Sequence, residues 1–282
     1  MRSDLFKSTI RAIVPRPLRN WLRSPSRSIQ WLWDESRFSL GVTETLNFPT
    51  NWTLLCHPHA YRAGYRAQIA DTEQREEFEN FLRECSDKMF LFDIGAHFGI
   101  FSLAAGHFGG KAVAIDPSPI ATRMIARQCA INGLTERIRI IEAAVSDETG
   151  VVEMLSSGVF SDGYYKITQG RAKSELTRTP AVTINQLVRQ HGVPTHIKID
   201  VEGQEAAVLR GGRETLAQFS PILFLELHNE MVKSEGGDPN LALDELAELG
   251  YEVFALNRDS LGRGEILLRP IVRIVARRTS EG

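Results

Sequence analysis

The sequence predicts an α/β fold built on an open sheet, and three stretches support this. Residues 91–94 form a short apolar run around one acid and lead into two glycines, Gly95 and Gly99, followed by an apolar helix-like segment. A second apolar run, residues 111–116, ends in an aspartate. Residues 221–228 are nearly continuous in apolar side chains, as in a strand buried on both faces. A strand, a glycine turn, a helix start and a following acid form the arrangement with which open α/β sheets hold nucleotide-like ligands.

The spacing of the first turn separates two ligand classes. Dinucleotides place a pyrophosphate on such a turn and need bare backbone N–H groups there, usually in a G-x-G-x-x-G run. Here His97 stands where the middle glycine would be, and Asp93 lies two residues before Gly95, where its charge opposes a pyrophosphate. S-adenosylmethionine (SAM) has no phosphate and carries an ammonium group, which a nearby acid suits. The D-x-G-x-x-x-G spacing therefore favours SAM over NAD.

Length and composition limit the number of domains and the classes of partner that we expect. The 282 residues suit one large α/β domain, which we expect over residues 51–282, preceded by an extension over residues 1–50. A net charge of −2 gives no reason to expect nucleic acid as a partner. The three cysteines are far apart and lack metal-binding spacing, which indicates reduced thiols in a soluble, cytoplasmic protein. No apolar run approaches the roughly 20 residues that cross a bilayer.

The N-terminal extension differs in composition from the rest of the chain. Residues 1–40 carry eight Arg and Lys against three acids, with three interleaved tryptophans. A basic helix with tryptophan on one face can rest on an anionic membrane surface. Alternatively, the extension is a helical cap whose aromatic side chains pack on the domain, and we favour this interpretation.

The remaining segments show helical or strand-like patterns in turn. In chain order, they predict a helix over 71–85, a helix opened by 117–119 and ending near 132, strands over 138–145, 150–155, 181–187, 196–200 and 221–228, a helix over 241–249, and strands over 251–256 and 271–276 joined by a turn around Gly262 and Gly264. Between two of these strands lies a polar insert, residues 156–180. Because long loops in compact domains often serve function, we expect this insert to cover the substrate.

Polar side chains close four of the predicted core strands. Ligands of open sheets bind beyond the carboxyl ends of the strands, so these side chains are expected to share one edge of the sheet. They are Asp93, Asp116, Asp200 and the pair Glu226 and His228. The sequence therefore predicts a polar site at this edge.

Several of these segments together resemble a known family. The runs Asp93-Ile-Gly-Ala-His-Phe-Gly99 and Ala144-Val-Ser-Asp147, the Asp116 ending, and above all Lys198-Ile-Asp-Val-Glu-Gly-x-Glu205 resemble the FkbM-type SAM-dependent methyltransferases. The resemblance covers about residues 50–230. It implies a Rossmann-like, seven-stranded class I methyltransferase sheet, mostly parallel with the last strand antiparallel and helices on both faces. It also implies O-methylation of a hydroxyl on a sugar, glycan or natural product. His97 departs from the family pattern, in which many members carry asparagine.

The resemblance also implies roles for individual residues. Asp93, Gly95 and Gly99 would border the methionine part of SAM. His97, in the same turn, is a further candidate for contact with SAM, the alternative being that it only shapes the turn. Asp116 would accept hydrogen bonds from the ribose hydroxyls, and Asp200 would lie beside the sulfonium. The remaining contact, along adenine, would come from Ala144 and Val145.

The residues themselves suggest the acid–base chemistry. A hydroxyl is a poor nucleophile at neutral pH and benefits from a base or a metal. His228, at the end of the fifth core strand, is our candidate base, and Glu226 shares its side of the strand and can orient it. Together with Asp200 these side chains are also compatible with Mg²⁺ or Mn²⁺, an alternative that the sequence does not favour.

Two other functions stay open at this point. An NAD-dependent oxidoreductase of Rossmann type would share the fold but conflicts with Asp93 and His97. A non-catalytic SAM-binding scaffold protein would keep the same turn and use the basic N-terminus for docking.

Overall fold

The apolar runs of the sequence form the strands of an α/β structure. The computed structural model describes residues 25–48, 52–156, 165–167, 176–257 and 259–278. The strands are β1 (Glu44–Asn47), β2 (Thr53–Cys56), β3 (Phe90–Ile94), β4 (Lys111–Asp116), β5 (Ile138–Glu142), β6 (Ala144–Val145), β7 (Gly150–Ser156), β8 (Tyr165–Ile167), β9 (Leu176–Val182), β10 (His196–Ile199), β11 (Ile222–Leu227), β12 (Glu252–Ala255) and β13 (Val272–Arg277).

Helices connect these strands, and some of them begin at a polar capping residue. They are α1 (Pro25–Ser39), α2 (Pro58–Ala60), a π-helix (Tyr61–Tyr65), α3 (Arg66–Ala70), α4 (Thr72–Glu84), α5 (Ile100–His107), α6 (Pro119–Ile131), α7 (Ile184–His191), α8 (Glu205–Gly211), α9 (Arg213–Phe219), α10 (Asn229–Ser234), α11 (Asn240–Glu248) and α12 (Arg263–Leu268). Asp71 caps α4 by accepting from the Gln74 N–H, and Ser118 caps α6 by accepting from the Ala121 N–H.

The main sheet has seven strands in the order β12-β13-β11-β10-β3-β4-β5. The strands from β11 to β5 are parallel to one another, whereas β13 runs antiparallel to both of its neighbours, β11 and β12. This confirms the predicted seven-stranded, mostly parallel sheet with an antiparallel last strand. A smaller sheet of order β6-β9-β7-β8 and the antiparallel pair β1-β2 lie outside it.

Both faces of the main sheet are buried. On β3, Leu91 belongs to one hydrophobic cluster and Phe92 to another, and on β11 Phe224 and Leu223 divide in the same way. Consecutive strand residues point to opposite faces, so each cluster lies between the sheet and the helices on one side. Because helices cover both faces, the edge at the carboxyl ends of the strands is where a ligand can reach the sheet.

Three local expectations were wrong or incomplete. Residues 181–187 were expected to be a strand, but Thr183 accepts a hydrogen bond from the Gln186 N–H and starts helix α7. The expected turn at Gly262 and Gly264 contains helix α12. The expected strand over 138–145 divides, because β5 pairs with β4 while β6 leaves to pair with β9.

Parts of the predicted extension and insert lie outside the described residues, namely 1–24, 49–50, 157–164 and 168–175. Within the insert, β8 pairs antiparallel with β7. Within the extension, α1 is attached to the domain by Arg62, which donates two hydrogen bonds to Asp34, and by packing of the Trp31 ring on His59. Among the described helices, none combines the length and the apolar character needed to cross a membrane.

Candidate functional site

The turn between β3 and α5 brings two backbone segments into close contact. Gly95 has a φ of +78° and Gly99 a φ of +80°, in the left-handed region that favours glycine. A Cβ on Gly95 would lie 1.8 Å from the carbonyl oxygen of Asp200. Only glycine therefore lets the end of β10 approach this turn, and the approach brings Asp200 to the turn's side.

Asp93 lies at the base of the turn and is buried. Its Oδ2 accepts two hydrogen bonds from Ser102, one from the backbone N–H at 3.0 Å and one from the hydroxyl at 2.6 Å. Burial raises the pKa of Asp93 to about 6, against the opposing effect of these hydrogen bonds. The carboxylate therefore orders the first turn of α5 and also lines the adjoining cavity.

Asp116 ends β4 with both carboxylate oxygens fixed by the backbone. Oδ2 accepts from the His97 N–H and Oδ1 from the Ser118 N–H, each at 2.8 Å. Burial raises the pKa of Asp116 to about 7, although both hydrogen bonds act to lower it. Since each carboxylate oxygen can accept more than one hydrogen bond, this fixed group can still accept from a ligand's hydroxyls.

His97 adopts a left-handed conformation with a φ of +50°, which is uncommon for a residue with a side chain. Its ring stacks on Phe98 at a centroid distance of 3.8 Å. The Phe98 carbonyl accepts a hydrogen bond from the Tyr65 hydroxyl at 2.5 Å, and Gln128 donates to that hydroxyl. The turn is thus held from outside by the π-helix. A contact between His97 and SAM stays a prediction.

The cavity at the carboxyl ends of the strands contains most of the predicted site residues. Asp93, Gly95, His97, Gly99, Asp116, Ala144, Val145, Asp200 and Glu226 all line it. Ala144 and Val145 are buried in β6, beside Ala143 and the β4 end. The cavity continues past the turn to Gln68, Gln74 and Glu77, which sequence reasoning did not single out. The predicted convergence of polar strand ends on one edge is therefore present.

His228 lies behind this lining, among four carboxylates. Its Nδ1 is 2.9 Å from Glu205 Oε1, and its Nε2 lies near oxygens of three others, Asp200, Glu202 and Glu226. Burial alone lowers the pKa of His228, but the hydrogen bond with Glu205 and the charges of Asp200, Glu205 and Glu202 outweigh it and raise the pKa to about 9. The imidazole is therefore protonated on both nitrogens at neutral pH. The predicted role as base requires that one of these protons first be removed.

A buried ion network supports these carboxylates. Lys198 Nζ lies 3.0 Å from Glu77 Oε1. Arg273 Nη2 donates to Glu226 Oε1 at 2.6 Å. The sequence pattern did not indicate Glu77 or Arg273. Glu77 is a single acid on the buried face of α4, beside Phe78 and Phe81, and Arg273 lies in β13. Glu202 and Glu205 belong to the Lys198–Glu205 run, but their contact with His228 needs the fold.

The part of the chain that forms this site also matches a known protein family. The model of the methyltransferase FkbM domain matches residues 93–253, more than half of the sequence. The chain belongs to the FkbM methyltransferase family. The match runs from Asp93 past His228, so it includes the predicted site residues and supports methyl transfer as the reaction of this family member. The oxidoreductase alternative loses its support.

Solved structures similar to this FkbM family member include three methyltransferases. Methyltransferase FkbM from Methylobacillus flagellatus KT is 16% identical, with 68% of this chain and 44% of that protein covered and a TM-score of 0.45. Precorrin-6y C5,15-methyltransferase from Geobacter metallireducens GS-15 is 12% identical, with 74% and 90% covered and a TM-score of 0.44. An O-methyltransferase from Bacillus cereus in complex with SAH is 12% identical, with 76% and 86% covered and a TM-score of 0.43. The chain thus spans less than half of the Methylobacillus protein. Among curated proteins none matches it.

Proposed function

We propose that this chain is a SAM-dependent O-methyltransferase that moves a methyl group to a hydroxyl of a sugar or another small hydroxylated metabolite. The observation that carries the proposal is the Asp116 carboxylate, fixed by two backbone N–H groups at the end of β4 and beside the Gly95 turn. A carboxylate in this place suits the two ribose hydroxyls of a nucleoside. The non-catalytic scaffold stays as the alternative outcome of the test below.

The charge of the cavity supports a cationic ligand over a dinucleotide. Asp93, Asp116 and Asp200 all line the cavity at the turn, and the left-handed His97 occupies the position of the middle glycine in a pyrophosphate-binding loop. Bringing a pyrophosphate here would place like charges together at short range. A sulfonium and an ammonium group are attracted by the same side chains.

Bound SAM supplies a methyl group on a sulfonium centre, and the chain's residues align it with the acceptor. Gly95 and Gly99 would leave room for the methionine end, Asp116 would hold the ribose, and Ala144 and Val145 would lie along adenine. Asp200 would stand beside the sulfonium. The acceptor oxygen forms its bond to the methyl carbon as the carbon–sulfur bond breaks towards sulfur, so alignment is the protein's main contribution. The hydroxyl proton passes to the cluster of Asp200, Glu226 and His228. The sequence assigns it to His228, which can accept it only when its imidazole is neutral.

Part of the cavity lining supports a hydroxyl-rich acceptor. Gln68 and Gln74 contribute amide groups, each of which can both donate and accept hydrogen bonds. Hydroxyl groups also both donate and accept, so such a lining suits a polyol. This polar lining is the support for a sugar, glycan or natural-product acceptor.

The proposal predicts that isotopically labelled methyl groups from SAM appear on an oxygen of a small metabolite. The purified chain is incubated with metabolite extracts and labelled SAM, and products are identified by mass spectrometry. SAM binding measured by calorimetry accompanies the screen. Binding without any labelled product across many hydroxylated acceptors would favour the scaffold alternative, and labelling on nitrogen or carbon would contradict O-methylation.

We also expect the SAM affinity to increase with pH through about 7, the pKa of buried Asp116. Below this value the carboxyl group is protonated, which removes its charge and makes it a weaker acceptor for the ribose hydroxyls, so binding is coupled to release of a proton. The affinity one pH unit below the pKa should be about tenfold lower than its plateau above it. Calorimetry across this range measures the effect. In Asp116→Asn the affinity should be lower and its dependence on pH flatter, and an unchanged slope in this variant would assign the dependence to another group.

A further inference from the structure

The Nε2 atom of His228 faces three carboxylate oxygens without being hydrogen-bonded to any of them. It lies 3.5 Å from Glu202 Oε2, 3.7 Å from Glu226 Oε1 and 3.8 Å from Asp200 Oδ1. Hydrogen bonds between nitrogen and oxygen have lengths of about 2.7–3.2 Å. Ligands of a divalent ion, each about 2.1 Å from it, lie about 3–4 Å from one another. Ligand atoms of Asp200, Glu226 and His228 all fall within 4.8 Å of one another.

The side chains of this cluster are held in the orientation that a ligand set needs. His228 is 4% exposed, and its Nδ1 is fixed by Glu205 at 2.9 Å. When Nδ1 carries the proton, the lone pair of Nε2 points at the carboxylates, as in carboxylate–histidine–metal arrangements. Glu226 is fixed in turn by Arg273.

The charge around His228 also favours an added cation. Two fixed cations belong to the same network, in which Lys198 pairs with Glu77 and Arg273 pairs with Glu226. They are outnumbered by carboxylates, namely those of Glu77, Asp200, Glu202, Glu205 and Glu226. Even a protonated His228 leaves this part of the site negative. Carboxylate oxygens suit Mg²⁺ and Mn²⁺, and a single imidazole is compatible with Mn²⁺.

We propose that Asp200, Glu226 and His228 bind one divalent cation, Mg²⁺ or Mn²⁺, at the inner end of the cavity. Asp200 has about a third of its side chain exposed and lines the cavity together with Glu226, so positions on the ion stay open towards the acceptor. There the ion binds the acceptor hydroxyl and polarises it. This role rests on the proposed methyl transfer, whereas the cation site does not. His228 is then a metal ligand and no longer the base that the sequence suggested.

The test measures binding of Mn²⁺ to the full chain in the absence of SAM. Electron paramagnetic resonance of free Mn²⁺ and calorimetry should detect one saturable site, for which Mg²⁺ competes. Glu226→Gln and His228→Ala should each weaken Mn²⁺ binding at least tenfold, since each removes a ligand. Thermal melting checks that both variants fold, and if one does not, the other decides the question.

Two controls separate this proposal from the proposed function. Asp116→Asn should bind Mn²⁺ as the unaltered chain does while its SAM affinity falls. Asp244→Asn, an exposed acid paired with Arg263, should change neither affinity. Absence of saturable Mn²⁺ binding, or equal binding in Glu226→Gln and His228→Ala, would overturn the cation site and leave His228 as a protonated counter-charge. Mn²⁺ binding without any SAM binding would instead overturn the methyltransferase proposal alone.

Discussion

Replacing Gly95 with alanine is expected to abolish measurable SAM binding and to destabilise the protein. The new Cβ would lie 1.8 Å from the backbone carbonyl oxygen of Asp200, so either the turn or the end of β10 must move. That movement displaces both sides of the proposed SAM site at once. Calorimetric titration with SAM and chemical denaturation measure the two effects, and we expect the affinity to fall by at least about 100-fold, or ~2.7 kcal/mol.

Gly236 offers a matched control for this substitution. Its φ is +78°, the same as that of Gly95, but an added Cβ would have no atom within 4 Å. In Gly236→Ala the free energy of unfolding should therefore fall by only about 1–2 kcal/mol, the cost of a left-handed backbone at a residue with a Cβ. The SAM affinity should be unchanged. If Gly95→Ala binds SAM as well as Gly236→Ala does, the close approach of β10 has no part in the site.

The second large effect is expected for Lys198→Met, which should reduce the free energy of unfolding by about 3 kcal/mol. Lys198 and Glu77 are both almost fully buried and lie 3.0 Å apart. Despite burial, the charges of Glu77, Asp200 and Glu226 raise the pKa of Lys198, so its ammonium group stays charged throughout the usual pH range. Without the ammonium group, the Glu77 carboxylate loses its nearest cation in a low-dielectric setting. Urea unfolding at constant m-value measures the loss.

Arg213→Met is the corresponding control at the surface, where Arg213 pairs with Glu245 and Glu248 and is about half exposed. Exposed pairs contribute about 0–1 kcal/mol. A double variant, Lys198→Met with Glu77→Leu, removes both charges and should recover most of the loss. Equal losses in Lys198→Met and Arg213→Met would contradict the argument, and so would a double variant that is less stable than Lys198→Met.

The sequence predicts the sheet and its ligand edge well because both depend on local pattern. Apolar runs of strand length ending in Asp93, Asp116 and Asp200 locate three parallel strands, and parallel strands bring their carboxyl ends to one edge. The turn between β3 and α5 is likewise predicted by its two glycines, Gly95 and Gly99. For these features, neighbouring residues in the chain are also neighbours in space.

Predictions failed where a local pattern fitted two structures. Residues 181–187 combine β-branched and apolar residues as a strand does, but Ile184 and Leu187 are three residues apart and both buried, which is also helical spacing. The hydroxyl of Thr183 caps the helix and so favours helix over strand for residues 184–187. The signal was present, since a threonine before an apolar periodic run is a typical helix start.

The surroundings of His228 could not be read from the sequence. Glu77, Glu226 and Arg273 come from α4, β11 and β13, and only the strand order of the folded sheet brings them together. The sequence identified Glu226 and His228 as neighbours on one side of β11, which the 3.7 Å between them supports. It did not indicate how many carboxylates surround the imidazole, and that number changes the charge that His228 carries.

The π-helix at Tyr61–Tyr65 has a consequence for how the smallest working unit of this chain is defined. Gly64 lies so close to Phe98 that a Cβ there would be 2.6 Å from its ring, and the Tyr65 hydroxyl occupies the Phe98 carbonyl. Both supports precede Asp93, where the family match begins. A fragment that begins at Asp93 would contain the whole family match, but the turn would lack the contacts with Gly64 and Tyr65. The family match is therefore shorter than the stretch of chain that supports its turn, and a fragment bounded by the match alone would lack Gly64 and Tyr65.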